Sequence, residues 1–441
     1  MLRVAYIAAG AGGMYCGACA HDQLIVRELR RSGVDVLMVP LYTPLRWDDD
    51  ALEHDRVFLG GVSTWMRQAT PLLRPVIWTL RPILDSQLVL KAISRIAIQT
   101  DARKLGPMTV SMLQGIDGPH AQEMQRLCAH LAREFHPQIV HLSNTLLSGL
   151  ARPIREALSC AVVANVQGEE HFLAALPQPH RDKAIAVLCQ NLRHVQRLIR
   201  PTWAGIEGIL NLTDRPREDF AIVPPAVDTG SAIRLPRPNS PIVIGYLSAI
   251  RPEKGLDLLI DAVRRVAGTV DFPIQFRIAG QVLDVAWWKS LRHKLLNMPE
   301  NVKCTYVGEL PRGAKMAFLR ACHIFCLPSR LAECRAMAAL EAMACGCAVI
   351  GPNDGIFTEL LADGAGRQFE TGNLPSLAAA IDTLIRDPAM VQRLGATAET
   401  TAARYSAPRS AATLARIYQE LNGGGGASAL VRATGQTPLR H

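Results

Sequence analysis

Aromatic residues and long apolar runs are scarce in this sequence. Only 5% of its 441 residues are aromatic, and its basic residues are scattered, whereas nucleic-acid-binding proteins more often combine aromatics with dense basic clusters. No apolar run reaches the roughly 18 residues of a transmembrane helix. The amino terminus does not resemble a signal peptide, because its first apolar stretch runs directly into a Gly-rich loop. We therefore expect a cytoplasmic protein with no nucleic-acid partner.

The sequence also lacks a recognisable set of metal ligands. It contains eleven cysteines, an odd number, and many of them lie in apolar stretches where free cysteine packs as a small hydrophobe. Cys16 and Cys19 form a C-x-x-C pair, and Cys345 and Cys347 form a C-x-C pair. No second pair follows at the spacing of a zinc site. We expect reduced thiols, as in the cytosol, and no metal or other cofactor.

The segment 64–104 combines positive charge with apolar residues. The whole chain has a formal net charge of +9, which favours anionic partners. This segment has seven Lys or Arg against two Asp, together with Trp65 and Trp78. Such a mixture suits a segment that contacts an anionic membrane surface. The alternative, which we favour, is a helical insertion packed on its own domain.

What the chain does have is a repeated alternation of short apolar runs and amphipathic stretches. This alternation predicts parallel sheets covered by helices, that is, an α/β fold. The predicted strands are 3–9, 35–41, 138–143, 161–167, 242–247, 275–280, 302–307, 324–327 and 348–351. The predicted helices are 22–32, 123–135, 146–158, 256–266, 314–321, 338–345 and 377–386. A Pro-rich connector, 224–241, separates two halves of the chain.

Two carboxylates, Glu333 and Glu341, stand eight residues apart after the predicted strand 324–327. Glu333 falls on the loop above the strand, and Glu341 falls about a turn and a half inside the next helix. The helix amino terminus between them favours anions. This pattern suits the sugar hydroxyls on either side of a diphosphate. The alternative is an ordinary strand–loop–helix unit with two surface acids.

Two further loops are suited to phosphate. Residues 9–14 form a Gly-rich loop between a strand and a helix, where the backbone can approach a ligand closely. The loop is not a clean G-x-G-x-x-G, and no acid follows the second strand, so a dinucleotide site is weakly supported. In the second half, Arg251 and Lys254 precede a helix and can place positive charge beside a diphosphate.

In combination, these elements resemble the retaining glycosyltransferases of family 4. The match runs from Arg3 to about Leu421, and four motifs carry it in order. They are Gly12-Gly13, Val223-Pro-Pro-Ala-Val-Asp228, Pro252-Glu-Lys-Gly255, and the E-x7-E stretch from Glu333 to Glu341 with Gly355-Ile-Phe-Thr-Glu359 after it. The resemblance implies the GT-B fold, in which two Rossmann-like doubly wound domains face an interdomain cleft.

The resemblance also implies a domain layout. Residues 1–225 would form the acceptor-side domain, carrying the insertion 64–104. Residues 226–405 would bind the nucleotide sugar. Residues 406–422 would form a helix that crosses back to the first domain, and 423–441 a flexible tail. Closure of the domains would complete the site.

The same resemblance implies roles on the donor side. Lys254, together with Arg251, would neutralise the diphosphate leaving group as its charge grows. Glu333 would contact the transferred sugar, and Glu341 would bind ribose hydroxyls. Further donor contacts would come from the backbone amides of Gly12, Gly13, Met337 and Ala338. No metal and no dedicated protein base would be required.

On the acceptor side, the loop Asn165-Val-Gln167-Gly-Glu169-Glu170-His171 lies where relatives often carry His-Gly-Glu-Asp-like residues. Gln167 replaces the common His and cannot hold a proton, and Glu169 follows it. His141 and Asn144, at the end of another strand, are further candidates to face the acceptor. Loop packing is the alternative role for both.

The sequence departs from the family pattern at three places. The usual Arg ahead of Pro-Glu-Lys-Gly is Ala249, which removes one phosphate-binding cation and costs about 2–4 kcal/mol of barrier stabilisation if nothing replaces it. The usual Gly-Phe-Gly inside E-x7-E is Cys334-Arg335-Ala336, where Arg335 is a candidate replacement cation. The third departure is Asp354 beside Gly355.

Three functions therefore stay open. The first is a retaining transferase that moves a sugar from a nucleotide diphosphate sugar onto a glycan, a lipid-linked acceptor or a small molecule. The second is a catalytically weak or inactive nucleotide-binding protein with the same fold. The third is an oxidoreductase that binds a dinucleotide at the Gly loop, which the missing ribose-binding acid disfavours.

Overall fold

The computed structural model describes residues 1–9, 17–41, 102–230, 232, 236–237 and 240–423, without the side chains of residues 102–104. Gly12, Gly13 and the tail beyond residue 423 lie outside the described residues. So does the insertion predicted at 64–104, except for its last three residues, which begin a helix. The chain divides into two compact units.

The first unit comprises Met1–Arg200, Glu207–Val223 and Ser410–His441. Its described strands are β1 (Arg3–Ala8), β2 (Asp35–Pro40), β3 (Ile139–Leu142), β4 (Ala161–Asn165), β5 (Arg197–Arg200) and β6 (Phe220–Ile222). They form one parallel sheet in the order β2-β1-β3-β4-β5-β6. The described α-helices associated with this unit are α1 (Gly17–Arg31), α2 (Ala102–Leu113), α3 (Ala121–His130), α4 (Ala151–Leu158), α5 (Glu169–Ala174), α6 (His180–Leu192) and α7 (Ile206–Thr213).

The second unit comprises Pro201–Ile206 and Pro224–Arg409. Its strands are β7 (Ile242–Leu247), β8 (Ile274–Ala279), β9 (Val302–Tyr306), β10 (Ile324–Cys326), β11 (Ala348–Pro352) and β12 (Gly366–Phe369). They form a second parallel sheet in the order β12-β11-β10-β7-β8-β9. The remaining α-helices are α8 (Leu256–Ala267), α9 (Val285–Leu296), α10 (Arg312–Arg320), α11 (Met337–Ala344), α12 (Phe357–Leu360), α13 (Leu374–Arg386), α14 (Pro388–Ala403) and α15 (Ala407–Gly423).

Each sheet reverses its direction of winding next to its first strand. In the second sheet, β8 and β9 extend to one side of β7, while β10, β11 and β12 extend to the other. In the first sheet, β2 lies on one side of β1 and β3 on the other. Ligands of doubly wound sheets bind at the carboxyl ends of the strands at such a reversal point. Both units are therefore Rossmann-like, as predicted.

The central strands are buried on both faces. Every residue of β3, β7, β10 and β11 is buried, because helices cover a parallel sheet on both sides. Such strands appear in the sequence as short continuous apolar runs. This burial explains why the strands were recognisable from composition alone.

Each of the nine predicted strands is present, with ends displaced by two residues at most. The predicted helix 146–158 is wrong in its first half: a 3₁₀ segment, Thr145–Leu150, precedes α4. Pro153 explains the difference, because proline is tolerated in the first turn of an α-helix but not in its interior. Strands β5, β6 and β12 were missed; in β5 and β12, charged or polar residues interrupt the apolar run.

The boundaries between the units differ from the predicted ones at residues 201–206, 224–225 and 406–409. Pro201–Ile206 groups with the second unit, where buried Thr202 donates a hydrogen bond to Glu359. Residues 406–409 also group with the second unit, because the Ala407 amide donates to the carbonyl oxygen of Val227 at 3.1 Å. From Ser410 onward, α15 belongs to the first unit.

Within the described ranges, no helix has both the length and the apolar character needed to cross a bilayer.

Candidate functional site

Lys254 and Glu333 meet at the reversal point of the second sheet. Lys254 ends the turn that follows β7, and Glu333 lies in the loop that follows β10, the neighbouring strand. The Lys254 Nζ donates to the Glu333 Oε1. Both side chains are mostly buried, being 17% and 15% exposed. The structure thus joins residues that the sequence offered in two motifs 79 positions apart.

The turn that carries Lys254 requires the glycine after it. Gly255 has a φ of +69° and precedes α8. A Cβ at this position would lie 1.9 Å from the carbonyl oxygen of Pro328 in the β10 loop. Only glycine allows this approach of the two loops. Arg251 does not join the pair, because its Nε lies 3.7 Å from the Glu253 carboxylate and its side chain is 41% exposed.

The backbone of Glu333 is fixed by the loop after β11. The Ile356 amide donates to the Glu333 carbonyl oxygen at 2.8 Å. Gly355 has a φ of +52°, and a Cβ there would lie 2.6 Å from the same oxygen. The Gly355 motif and the first acid of E-x7-E are therefore parts of one packed arrangement.

Helix α11 begins immediately after a left-handed residue. Ala336 has a φ of 44° and a ψ of 47°, the region that glycine adopts most readily. Met337 and Ala338 are the first two residues of the helix. Their amides therefore belong to the first turn, whose N–H groups have no partner within a helix.

Glu341 is paired with a lysine that the sequence did not reveal. The Lys315 Nζ of α10 donates to the Glu341 Oε1, and the two side chains are 23% and 17% exposed. Lys315 lies 26 positions before Glu341, and no motif marked it. Only its place on the helix preceding β10 could have suggested a role.

The residues that depart from the family pattern have varied surroundings. Cys334, Arg335 and Ala249 are all partly exposed. Asp354 accepts a hydrogen bond from the Thr371 hydroxyl at 3.0 Å through its Oδ2. The role of Arg335 as a replacement cation stays a prediction.

In the first unit, the loops after β3 and β4 are tied together by Glu169. Its Oε1 accepts the Thr145 amide at 3.0 Å and its Oε2 accepts the Gln167 amide at 2.5 Å. Glu169 is 6% exposed, and burial raises the pKa of its carboxyl although these amides oppose the shift. Glu169 was predicted to face the acceptor. The structure instead buries it, and its carboxylate holds the loops after β3 and β4 together.

Asn144 and Gln167 lie beside this carboxylate and are partly exposed. The Gln167 Nε2 donates to the Ser143 carbonyl oxygen, which fixes the orientation of the amide group. The Asn144 Oδ1 accepts no hydrogen bond from the described residues. Of the predicted acceptor-side residues, these two are the ones that reach the surface of the unit.

His141 differs from its predicted position at the acceptor. It is 0% exposed, and its Nδ1 lies 2.5 Å from the Tyr418 hydroxyl of α15. Its ring also stacks on Tyr6, with centroids 4.4 Å apart. Because β1 pairs with β3 so that Tyr6 lies opposite His141, the two rings share one face of the sheet. His141 is a core residue that anchors α15.

No group of three or more His, Cys, Asp or Glu side chains suitable for a metal ion occurs among the residues that the structure describes.

Comparison with known proteins finds a family match within the second unit. Residues 232–401 match the sequence model of the family described as Glycosyl transferases group 1. This range contains both lysine–glutamate pairs and the whole of the second sheet.

Curated relatives are distant and aligned in part. The phosphatidyl-myo-inositol mannosyltransferase of Mycobacterium leprae is 25% identical over 238 residues, which cover 51% of this chain and 62% of the relative. The D-inositol 3-phosphate glycosyltransferase of Stackebrandtia nassauensis is 27% identical over 238 residues, covering 50% of this chain and 53% of that protein. The chain thus spans less than two thirds of the length of these relatives.

Solved structures match the fold over nearly the whole chain. Sucrose-phosphate synthase from Thermosynechococcus elongatus superposes with a TM-score of 0.68 at 17% identity, over 96% of this chain and 99% of that one. Anabaena HepE in complex with UDP and glucose gives a TM-score of 0.65 at 15% identity, over 95% and 100%. Residues 232–401 thus match the glycosyl transferases group 1 family, and the chain has the two Rossmann-like domains of the GT-B fold.

Proposed function

We propose that this protein is a retaining glycosyltransferase that moves a sugar from a nucleotide diphosphate sugar to a sugar or lipid-linked acceptor. One observation carries the proposal. Two acids of the E-x7-E motif, each paired with a lysine, lie in the part of the chain that matches the group 1 family. One of these pairs lies at the carboxyl ends of β7 and β10, where doubly wound sheets bind ligands.

Lys254 supplies the charge that the departing diphosphate needs. As the bond to the sugar breaks, negative charge accumulates on the phosphate oxygens, and a fixed cation is most favourable at that moment. In the structure this cation is bound to Glu333. Donor entry therefore exchanges the partner of Lys254 from carboxylate to phosphate, which frees Glu333 for hydroxyls of the transferred sugar.

The other pair serves the nucleoside end of the donor. Glu341 accepts hydrogen bonds from ribose hydroxyls, and the hydrogen bond from Lys315 keeps its carboxylate oriented until the ribose arrives. Between the two acids, the first-turn amides of Met337 and Ala338 add the field of a helix amino terminus. Gly12 and Gly13 are proposed to reach the phosphates from the first unit.

The acceptor is proposed to bind the first unit at Asn144 and Gln167. Several curated relatives are phosphatidyl-myo-inositol mannosyltransferases, which suggests a lipid-linked or inositol-like acceptor. A cytoplasmic location with transient contact to an anionic membrane through residues 64–104 is part of the same proposal. Co-sedimentation with vesicles, with and without anionic lipid, tests this contact.

The first experiment is a thermal-shift screen with a panel of nucleotide diphosphate sugars, followed by transfer assays with those that bind. A ligand that binds only the folded state raises the melting temperature. At a ligand concentration of 100 times its Kd, the free energy of unfolding rises by about 2.7 kcal/mol. We expect one base and one sugar to stand out. Stabilisation by NAD(P)H alone would contradict the proposal and favour the oxidoreductase.

The catalytically inactive alternative makes a distinct prediction in the same assays. It requires nucleotide binding without hydrolysis or transfer across the whole donor and acceptor panel. Three departures from the family pattern together argue for it: Ala249, Cys334-Arg335-Ala336 and Asp354. Ala336 nevertheless has the left-handed backbone of a glycine position, so the loop geometry is kept in spite of the side chain.

A further inference from the structure

Arg330 connects the two loops that carry Lys254 and Glu333. Its backbone amide donates to the Glu253 carbonyl oxygen at 2.8 Å. Its NH1 donates to the Pro252 carbonyl oxygen at 2.6 Å. One residue of the β10 loop thus binds both residues that precede Lys254 in its turn.

The same guanidinium also binds Asp257, which lies beyond that turn. NH1 and NH2 of Arg330 donate to the two carboxylate oxygens of Asp257, each at 2.8 Å. Asp257 is the second residue of α8, so the turn that carries Lys254 is held at both of its ends. Such bidentate pairs of arginine and carboxylate fix geometry as well as adding energy.

This connection contributes more to position than to stability. The Arg330 and Asp257 side chains are 37% and 28% exposed, and ion pairs at that exposure contribute little to folding free energy. Burial would raise the pKa of the Asp257 carboxyl, but the hydrogen bonds and charge of Arg330 hold it below its ordinary value. The carboxylate therefore stays ionised and bound throughout the neutral range.

We propose that Arg330 and Asp257 are positioning residues that hold Lys254 where the donor diphosphate binds. The proposal rests on the proposed function, because it assigns Lys254 to the phosphates. Small displacements of a positioning cation lower binding and rate strongly. Loss of the Arg330–Asp257 pair should therefore weaken contacts with the outer phosphate and leave the nucleoside contacts of Glu341 intact.

Isothermal titration tests this inference with UDP and GDP against UMP and GMP. For Asp257→Asn and Arg330→Gln, we expect about tenfold weaker binding of the preferred nucleoside diphosphate and less than a twofold change for its monophosphate. The double variant should be no worse than either single variant, because both break the same connection. Arg330→Lys keeps the positive charge but loses the planar guanidinium that binds both carboxylate oxygens. Its affinity for the diphosphate should lie between those of the wild type and Arg330→Gln.

The matched control is Asp382→Asn. Asp382 accepts from Arg386 at 2.8 Å in an exposed pair on α13, and its loss should change neither affinity. The positioning role would be overturned if both single variants lost affinity equally for the diphosphate and the monophosphate, or if the ratio of the two Kd values stayed as in the wild type. Either result would leave the proposed function standing. Failure of the wild type to bind any nucleotide would instead overturn the proposed function and this inference with it.

Discussion

Ala336 adopts a backbone conformation that residues with a side chain rarely hold. Its φ of 44° places it in the left-handed region, which costs roughly 1–2 kcal/mol for an L-residue other than glycine. The residue is 4% exposed, so packing around it over-determines the conformation. The strain lies between the two acids of the motif, where the loop turns into α11.

Ala336→Gly should therefore stabilise the protein, by about 0.5–1 kcal/mol after the greater entropy of glycine in the unfolded chain is subtracted. Urea denaturation measures the change. Ala338→Gly, the same substitution two residues later inside α11, is the control and should destabilise by roughly 0.5–1 kcal/mol. A loss of stability in Ala336→Gly would show that the left-handed conformation is not the ground state.

Lys254 is the side chain on which catalysis should depend most. Lys254→Met removes the cation opposite the leaving phosphates, and the transfer rate should fall by about 100-fold to 1,000-fold. Steady-state kinetics with the donor found in the screen measures this fall. The control, Lys289→Met, removes an exposed charge on α9 and should leave the rate unchanged. A fall of less than threefold for Lys254→Met would remove this lysine from the mechanism.

Among the helices and strands, α15 makes a buried polar contact with the first sheet, from Tyr418 to His141. Tyr418 is 0% exposed, and burial raises the pKa of its hydroxyl well above the ordinary value. The hydroxyl therefore remains protonated and hydrogen-bonded to His141. Because this helix follows the whole second unit in sequence, the contact secures the return of the chain to the first unit.

Tyr418→Phe should destabilise the protein by about 1–3 kcal/mol, since it leaves the buried Nδ1 of His141 without its partner. Hydrogen exchange should also show faster opening of α15 than of α11. Arg416→Gln is the control on the same helix, because Arg416 is 71% exposed. Equal stability of Tyr418→Phe and wild type would mean that water or another group replaces the hydroxyl.

For the chain as a whole, the proposal includes transfer without a metal ion. Lys254 and the amino terminus of α11 are placed to neutralise the diphosphate, which is the task that a divalent cation performs in other transferases. Activity should therefore survive dialysis against EDTA within twofold, as followed by release of the nucleoside diphosphate. If activity were lost on dialysis and restored by added Mg²⁺ or Mn²⁺, this part of the proposal would be contradicted.

In the same reaction, NMR of the product should show that the anomeric configuration of the donor sugar is retained.

Much of the fold was predictable from the sequence because parallel strands buried on both faces leave continuous apolar runs. The nine predicted strands follow from such local signals, whereas the two Rossmann-like units were implied by the resemblance to glycosyltransferases that four ordered motifs carry. Strands β5, β6 and β12 were not predicted; in β5 and β12, charged or polar residues interrupt the apolar run.

The sequence by itself determined which residues are available for the chemistry: Lys254, Glu333 and Glu341, in an order and spacing that mark the family. Only the tertiary structure decided how they are paired, since Lys254 with Glu333 and Lys315 with Glu341 are contacts across the fold. It also placed His141 and Glu169 inside the first unit rather than at a surface. The physical reason is that spacing along a chain fixes the face of a helix or strand, whereas burial and ion pairing depend on which other elements pack against it.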